Sequence, residues 1–331
     1  SSNTISNNAG NAIRLLGGSG NIVTDNIANN NQGNGFLIES NSDPLTFTGN
    51  TATGNTLSDF EGIVVNVIGS TLSIDDTGGD CSTIGDWNSA TKTCTLSNDL
   101  DGPIIIESND ITLDGNAKSI TGTYTSLNPS ASTFTEGVKI DGATGVTVKN
   151  LVINNVNSGI YLSSSENNVI QDNTLTNNGY GVNLYDSPSN TITSNTINSD
   201  DGYGIKVDHS NANIITGNVQ SGASTGISVT NSNLLTIEAN SFKNNQHGIY
   251  LNNVGSISVL NNDLDSNSQS GMRVDGGGWH TITSNTFMDG LAGFQCSGSE
   301  SNTISNNLIT NNKPSNFGLA GTSQAMSFGT C

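Results

Sequence analysis

Isoleucine, valine and leucine alternate with polar residues in short runs along almost the whole chain. Asn190-Thr-Ile-Thr-Ser-Asn195-Thr-Ile and Gly204-Ile205-Lys206-Val207-Asp208 show the form. Alternation over five or six positions is the period of a strand with one face buried. No stretch carries the 3.6-residue period of an amphipathic helix. The runs therefore predict many short strands joined by polar turns.

Two landmarks recur in phase. The first is an Asn before a hydrophobic pair, at Asn150, Asn173, Asn195, Asn218, Asn240, Asn262, Asn285 and Asn307. The second is a Gly followed by an apolar residue, at Gly137, Gly159, Gly181, Gly204, Gly226, Gly248, Gly271 and Gly293. Successive members of each series stand 22 or 23 residues apart. A unit that short cannot bury its apolar side chains alone, but stacking at ~4.8 Å lets each strand pair with the coils on either side. The expected fold is all-β: a right-handed parallel β-helix of about 12 coils, each of ~22 residues. The Asn series is expected to form a side-chain ladder inside a turn. Leaving such buried amides unpaired would cost about 1–3 kcal/mol each. The Gly series is expected where the backbone needs a positive φ or a close approach.

The run N-x-[IV]-x-x-N-x-[IL], with a later G-[IV]-x-[LV], resembles the parallel β-helix repeats of NosD-like and pectate-lyase-like proteins. The segment around Cys81 and Cys94, with Asp114-Gly115 and Ile120-Thr121-Gly122, looks like the start of such a helix in archaeal surface proteins. The resemblance covers nearly the whole chain and implies the fold. It is nearly silent on chemistry, because it spans polysaccharide lyases, hydrolases and epimerases as well as adhesins and surface-layer proteins.

Along the chain, residues 1–57 read as a three-coil segment, 58–80 as a connecting strand and linker, and 81–331 as the main solenoid. An apolar strand is expected at Ile63–Ile68 and a longer loop over residues 123–136. Ser2-Asn-Thr-Ile-Ser-Asn-Asn8 recurs as Ser301–Asn307. The first three coils are too few for a good core of their own. Open solenoid ends also invite another chain. These points suggest a head-to-tail fibre in which residues 1–57 dock on a neighbouring subunit.

Composition narrows the setting. The chain has 9 basic residues against 28 acidic ones, a net charge of −19. A phosphate backbone would be repelled, which argues against nucleic acid and against anionic membranes. The acidity reads first as solubility, and secondly as loose Ca²⁺ binding or life in high salt. No run approaches the ~20 apolar residues of a membrane span. Four cysteines and no C-x-x-C pair read as two disulfides in an exported chain. Three pairings are possible, and proximity favours Cys81 with Cys94 and Cys296 with Cys331. The chain opens at Ser1 in mid-pattern, as a mature or trimmed extracellular product does. It carries no usable N-x-[ST] sequon, because the repeat writes N-T-I and Asn128 precedes a proline.

Candidate chemistry concentrates on the Gly-containing strand. Two residues after each Gly, and again four after it, side chains should face outward. These positions hold Lys139, Tyr161, Lys206, Tyr250 and Arg273, then Asp141, Tyr185, Asp208 and Asp275. Tyrosine rings stack on sugar rings, and Lys/Asp pairs bond hydroxyls, so this face is the candidate carbohydrate surface. Its alternative is a solvated sheet with opposite-charge pairs such as Lys206/Asp208 and Arg273/Asp275. Glycosidases need paired carboxylates. Asp200-Asp201 is the best match, but no carboxylate joins it from the coils on either side. A lyase or epimerase would need a base and a cation, often with Ca²⁺. His209, His247 and His280 form no column and read as surface residues, and Asp263/Asp265 and Asp99/Asp101 are the loose Ca²⁺ candidates. No catalytic residue, resident cofactor or metal centre is assigned. Function reads as an extracellular structural protein of the cell surface, self-associating into a homopolymer. The alternative is a secreted polysaccharide-binding or polysaccharide-active protein.

Overall fold

The computed structural model describes residues 2–15, 21–24, 26–38, 45–48, 51–57, 60–61, 71–122, 136–198, 202–313 and 326–330. It is an all-β right-handed solenoid of about a dozen coils, with a single four-residue helix, Cys81–Ile84, among the described residues. Chain contacts divide it into two units, Ser1–Thr71 and Leu72–Cys331.

The first unit contains short parallel stacks. Thr4–Ser6, Ile27–Asn29 and Thr51–Thr53 form one, and Ile13–Leu15, Phe36–Ile38 and Phe60–Glu61 another. Val23, Ala28 and Phe36 make a small core. Asn8, Asn31 and Asn55 bond in series at one corner.

The second unit has three strands per regular coil, stacked as three parallel sheets. A broad ten-stranded sheet holds the six-residue Gly-containing strands, from Glu136–Asp141 to Ala292–Ser297. A twelve-stranded sheet and a six-stranded sheet hold most of the three-residue strands, and Thr286–Met288 and Leu308–Thr310 pair separately. One inward column on the broad sheet is Val138, Ile160, Val182, Ile205, Ile227, Ile249 and Met272, all fully buried. Leu72–Ile74, read from sequence as part of a connecting segment, pairs in parallel with Ile104–Ile106 and belongs to this sheet. Ile63–Ile68 and all but the last residue of the 123–136 loop lie outside the described residues.

The corners explain the composition. Asn173, Asn195, Asn218, Asn240, Asn262, Asn285 and Asn307 form the expected ladder. Each backbone N–H and side-chain N–H donates to the Oδ1 of the next, as at Asn195 to Asn218 (both 3.0 Å). Asn150 is a correction: it is exposed with φ +55°, and Leu151 occupies the ladder position, its N–H reaching Asn173 Oδ1 at 3.0 Å. The residue before each ladder Asn carries the positive φ, at Asp172, Ser194, Gly217, Ala239, Asn261, Ser284 and Asn306. Parallel ladders run through Asn168, Asn190 and Asn213 and through Ser165, Ser187, Ser210 and Ser232. The Gly series is there for close approach only, since none of its eight members has a positive φ. A Cβ on Gly226 would stand 2.5 Å from the Gly248 carbonyl oxygen and 2.9 Å from Phe242 Cβ.

Both edges of the twelve-stranded sheet end on antiparallel strands. At one edge, Gly85–Asn88 pairs antiparallel with Thr93–Leu96; at the other, Met326–Thr330 pairs antiparallel with Glu300–Ser305. The Cys81–Cys94 disulfide ties the short helix to the first of these hairpins. Cys296 is also disulfide-bonded, and Cys331 lies outside the described residues.

Candidate functional site

The outward face of the broad sheet collects the aromatic and charged side chains. Glycine creates this face in an unexpected way. In Tyr203–Asp208 both Gly204 and Ile205 are buried, so alternation breaks at the glycine, and the strand pairing skips it. The residue before the Gly therefore shares the outward side with those two and four places after it. Three residues of the face escape simple alternation for this reason: Tyr180, Tyr203 and His247. Together with Tyr161, Tyr185 and Tyr250 they put five of the chain's six tyrosines on one face. Tyr124 lies outside the described residues. The signal was present in the sequence, because a glycine inside a strand marks a bulge or close approach.

Neighbouring groups touch along the face. Lys139 pairs with Asp141 at 2.6 Å. Tyr180 and Tyr203 rings lie 5.9 Å apart, and Lys206 Nζ stands 5.7 Å from the Tyr180 centroid. Lys206 and Asp208 form no direct ion pair. Asp208 instead accepts hydrogen bonds from Thr230 (3.0 Å) and Asn231 (2.9 Å) and lies 3.0 Å from His209 Nδ1. Burial pushes the Asp208 carboxyl up, but those hydrogen bonds, with the charges of His209 and Lys206, outweigh it and hold it below the usual range. His209 in turn packs 5.7 Å from the exposed Tyr185 ring.

A second group forms two coils on. The His247 ring stacks 6.1 Å from Tyr250, and its Nδ1 bonds Ser270 Oγ at 2.7 Å. Tyr250 Oη donates to Asp275 Oδ2 at 3.0 Å, and Arg273 holds the same oxygen through Nε (2.8 Å) and Nη2 (2.7 Å). The Arg273 guanidinium lies 5.5 Å from the Tyr250 ring centroid. Burial and the Asp275 carboxylate raise the Tyr250 pKa; burial and Arg273 lower that of His247. A shallow pocket of about 310 Å³ opens beside Arg273 and Asp275, lined also by Gln295, Cys296 and Ser297. Between the two groups, the strand Thr225–Thr230 carries only small outward residues, and Thr225 and Ser228 are buried.

The other sequence candidates do not converge on this face. Asp263 and Asp265 both turn to Lys243, at 2.6 and 3.8 Å. Asp99 accepts the Ser119 N–H at 2.7 Å. Asp200-Asp201 lies outside the described residues. His280 corrects the surface reading: it is buried at a corner of the solenoid, where its Nδ1 accepts the Ile257 N–H, away from His209 and His247. Among the described residues no three His, Cys, Asp or Glu side chains stand together as a metal centre would require.

Comparison with known proteins agrees on fold. The ORF18 protein of Geobacillus virus E2 superposes with a TM-score of 0.54 and 13% identity, over 72% of this chain and 57% of that one. A mutant DFA-IIIase from Arthrobacter chlorophenolicus superposes at 0.52 with 11% identity, over 70% and 68%. Another structure of that enzyme, in complex with GF2, gives 0.50 with 12% identity, over 66% and 75%. No curated protein matches the chain. Residues 1–77 match the model of a right-handed β-helix region. Residues 63–280 and 198–327 match the family described as periplasmic copper-binding protein (NosD), and the chain belongs to that family.

Proposed function

We propose that this is an exported solenoid whose broad sheet binds an extended polysaccharide on its outward face. One observation carries the reading: five of six tyrosines share that face in a chain with only 5% aromatics. Exposed rings beside hydrogen-bonding charges suit a ligand with apolar ring faces and hydroxyl edges. The Cys81–Cys94 disulfide suits an oxidising compartment, and the family's description is periplasmic. No described helix is long and apolar enough to cross a membrane.

Copper, which the family's description names, does not fit the described residues. Cu(I) calls for clustered thiolate or thioether ligands, and Cu(II) for grouped imidazoles. Here Cys81, Cys94 and Cys296 are disulfide-bonded, Met272 is sealed in the core, the half-buried Met288 lies on a different sheet from His247, and the three histidines stand apart.

The test is binding of the intact protein to a polysaccharide panel, by affinity electrophoresis. Retention by at least one polymer is expected. Tyr203→Ala and Tyr250→Ala should each weaken it about five- to tenfold. Ile214→Ala, on the twelve-stranded sheet, should leave it unchanged. Failure to bind any polymer sinks the reading.

A second reading is a cell-surface fibre assembled head to tail. It is favoured by the identity of Ser2–Asn8 with Ser301–Asn307. The antiparallel strand on Glu300–Ser305 works against it, because a coil can extend the stack only through parallel pairing.

A further inference from the structure

The charged pairs on the broad sheet are evenly placed. Lys139 and Asp141, Lys206 and Asp208, and Arg273 and Asp275 occupy the same two positions of their strands. Three strand pairings lead from Glu136–Asp141 to Tyr203–Asp208, and three more lead to Ser270–Asp275. At ~4.8 Å per coil, the pairs recur about every 14 Å over a strip of roughly 29 Å. Tyrosine rings fill most of the intervals, at Tyr161, Tyr180 and Tyr185 in the first and Tyr250 in the second. This placement deepens the polysaccharide reading and rests on it.

We infer that the strip binds a neutral polysaccharide lying parallel to the solenoid axis, with every third sugar held by the cation and the carboxylate of one strand. The coil rise is close to the length of one pyranose unit in an extended chain, so sugars and coils stay in step. Neutrality follows from charge. Lys139 and Arg273 are each cancelled by the carboxylate they touch, and Lys206 shares its strand with Asp208. The strip therefore offers no net positive charge to an acidic polymer. The chain as a whole, at −19, repels one. A fixed ammonium or guanidinium beside a carboxylate presents donor and acceptor together, as adjacent hydroxyls require.

The test uses the full chain in calorimetric titrations with two size ladders of two to nine units. One contains neutral manno- and gluco-oligosaccharides, the other oligogalacturonates. Affinity for a neutral ladder should climb until about seven units, the span of the strip, and then level off. Matched oligogalacturonates should bind at least about tenfold more weakly. Lys139→Gln removes one end of the strip. It should weaken a seven-unit chain about tenfold, yet leave a four-unit chain within about twofold, because that chain still reaches from Lys206 to Arg273. A plateau at two or three units, or tighter binding of oligogalacturonate, overturns this inference while leaving the glycan reading standing. If neither ladder nor any polymer of the panel binds, both readings fall.

Discussion

His280 stands in a column that elsewhere holds asparagine or a buried aliphatic residue. Its column runs Asn168, Asn190, Asn213, Leu235, Ile257, His280 and Asn302, and its Nδ1 accepts the Ile257 N–H at 3.2 Å. The ring proton is thereby fixed on Nε2, which is buried without a partner. Burial lowers the pKa from 6.5 to about 4. An unfolded chain takes up a proton below pH 6.5, whereas the folded one refuses it until about pH 4. Stability contributed by the neutral ring is therefore whole above pH 6.5, declines as pH falls through this window, and levels off below it. The total loss is ~3 kcal/mol. His280→Asn should flatten that part of the profile. The check is the difference in urea midpoint between pH 7 and pH 5 for both proteins, and equal differences would refute the assignment. Asn218 tests the ladder itself. Its Oδ1 takes two N–H groups of Asn195, and its Nδ2 reaches the carbonyls of Ile192 and Thr216. Asn218→Ala strands several of these in the core and should cost about 2–4 kcal/mol in denaturant melts.

At the scale of the strand, the glycines separate two kinds of constraint. Gly226 has an ordinary φ but no room, whereas Gly142 has a φ of +65° and nothing within 4 Å of where a Cβ would stand. Gly142→Ala should cost about 1 kcal/mol, the strain of a left-handed alanine. Gly226→Ala must push two coils apart and should cost several times more, measured by thermal melts of the two variants. The same glycines mark the limit of what could be read in the chain. The period-two rule placed Ile205, Val207, Ile227 and Val229 in the core correctly, because inward residues of consecutive coils repeat the pattern many times over. It placed Lys206 and Asp208 outward, also correctly. It missed Tyr180 and Tyr203, because two successive residues turn inward at the glycine and invert the parity of everything before it. It also set Lys206 opposite Asp208 as an ion pair. In the structure Asp208 is taken by Thr230, Asn231 and His209 from adjoining turns, a choice made by three-dimensional neighbours.

Over the whole molecule, the question is how a stack of interchangeable coils stops. Parallel pairing, once begun, has no internal limit, and the last strand of any sheet offers its free edge to another chain. The second unit closes its twelve-stranded sheet with antiparallel strands at both edges, and an incoming parallel coil finds neither the direction nor the register it needs. Neither closing strand was legible, since Gly85–Asn88 and Met326–Thr330 lie outside the repeat and their direction is set by folding back on it. Met326–Thr330 sets Met326 against Ile304 and Thr330 against Glu300. If this strand terminates the stack, a chain ending at Lys313 should expose the edge of Glu300–Ser305 and associate, while the full chain stays monomeric at the same concentration. Light scattering on size-exclusion eluates would report the mass, and electron microscopy the form of any assembly. Filaments from the full chain would reverse the argument, giving the coil ends to assembly and making Met326–Thr330 a strand that a neighbour displaces.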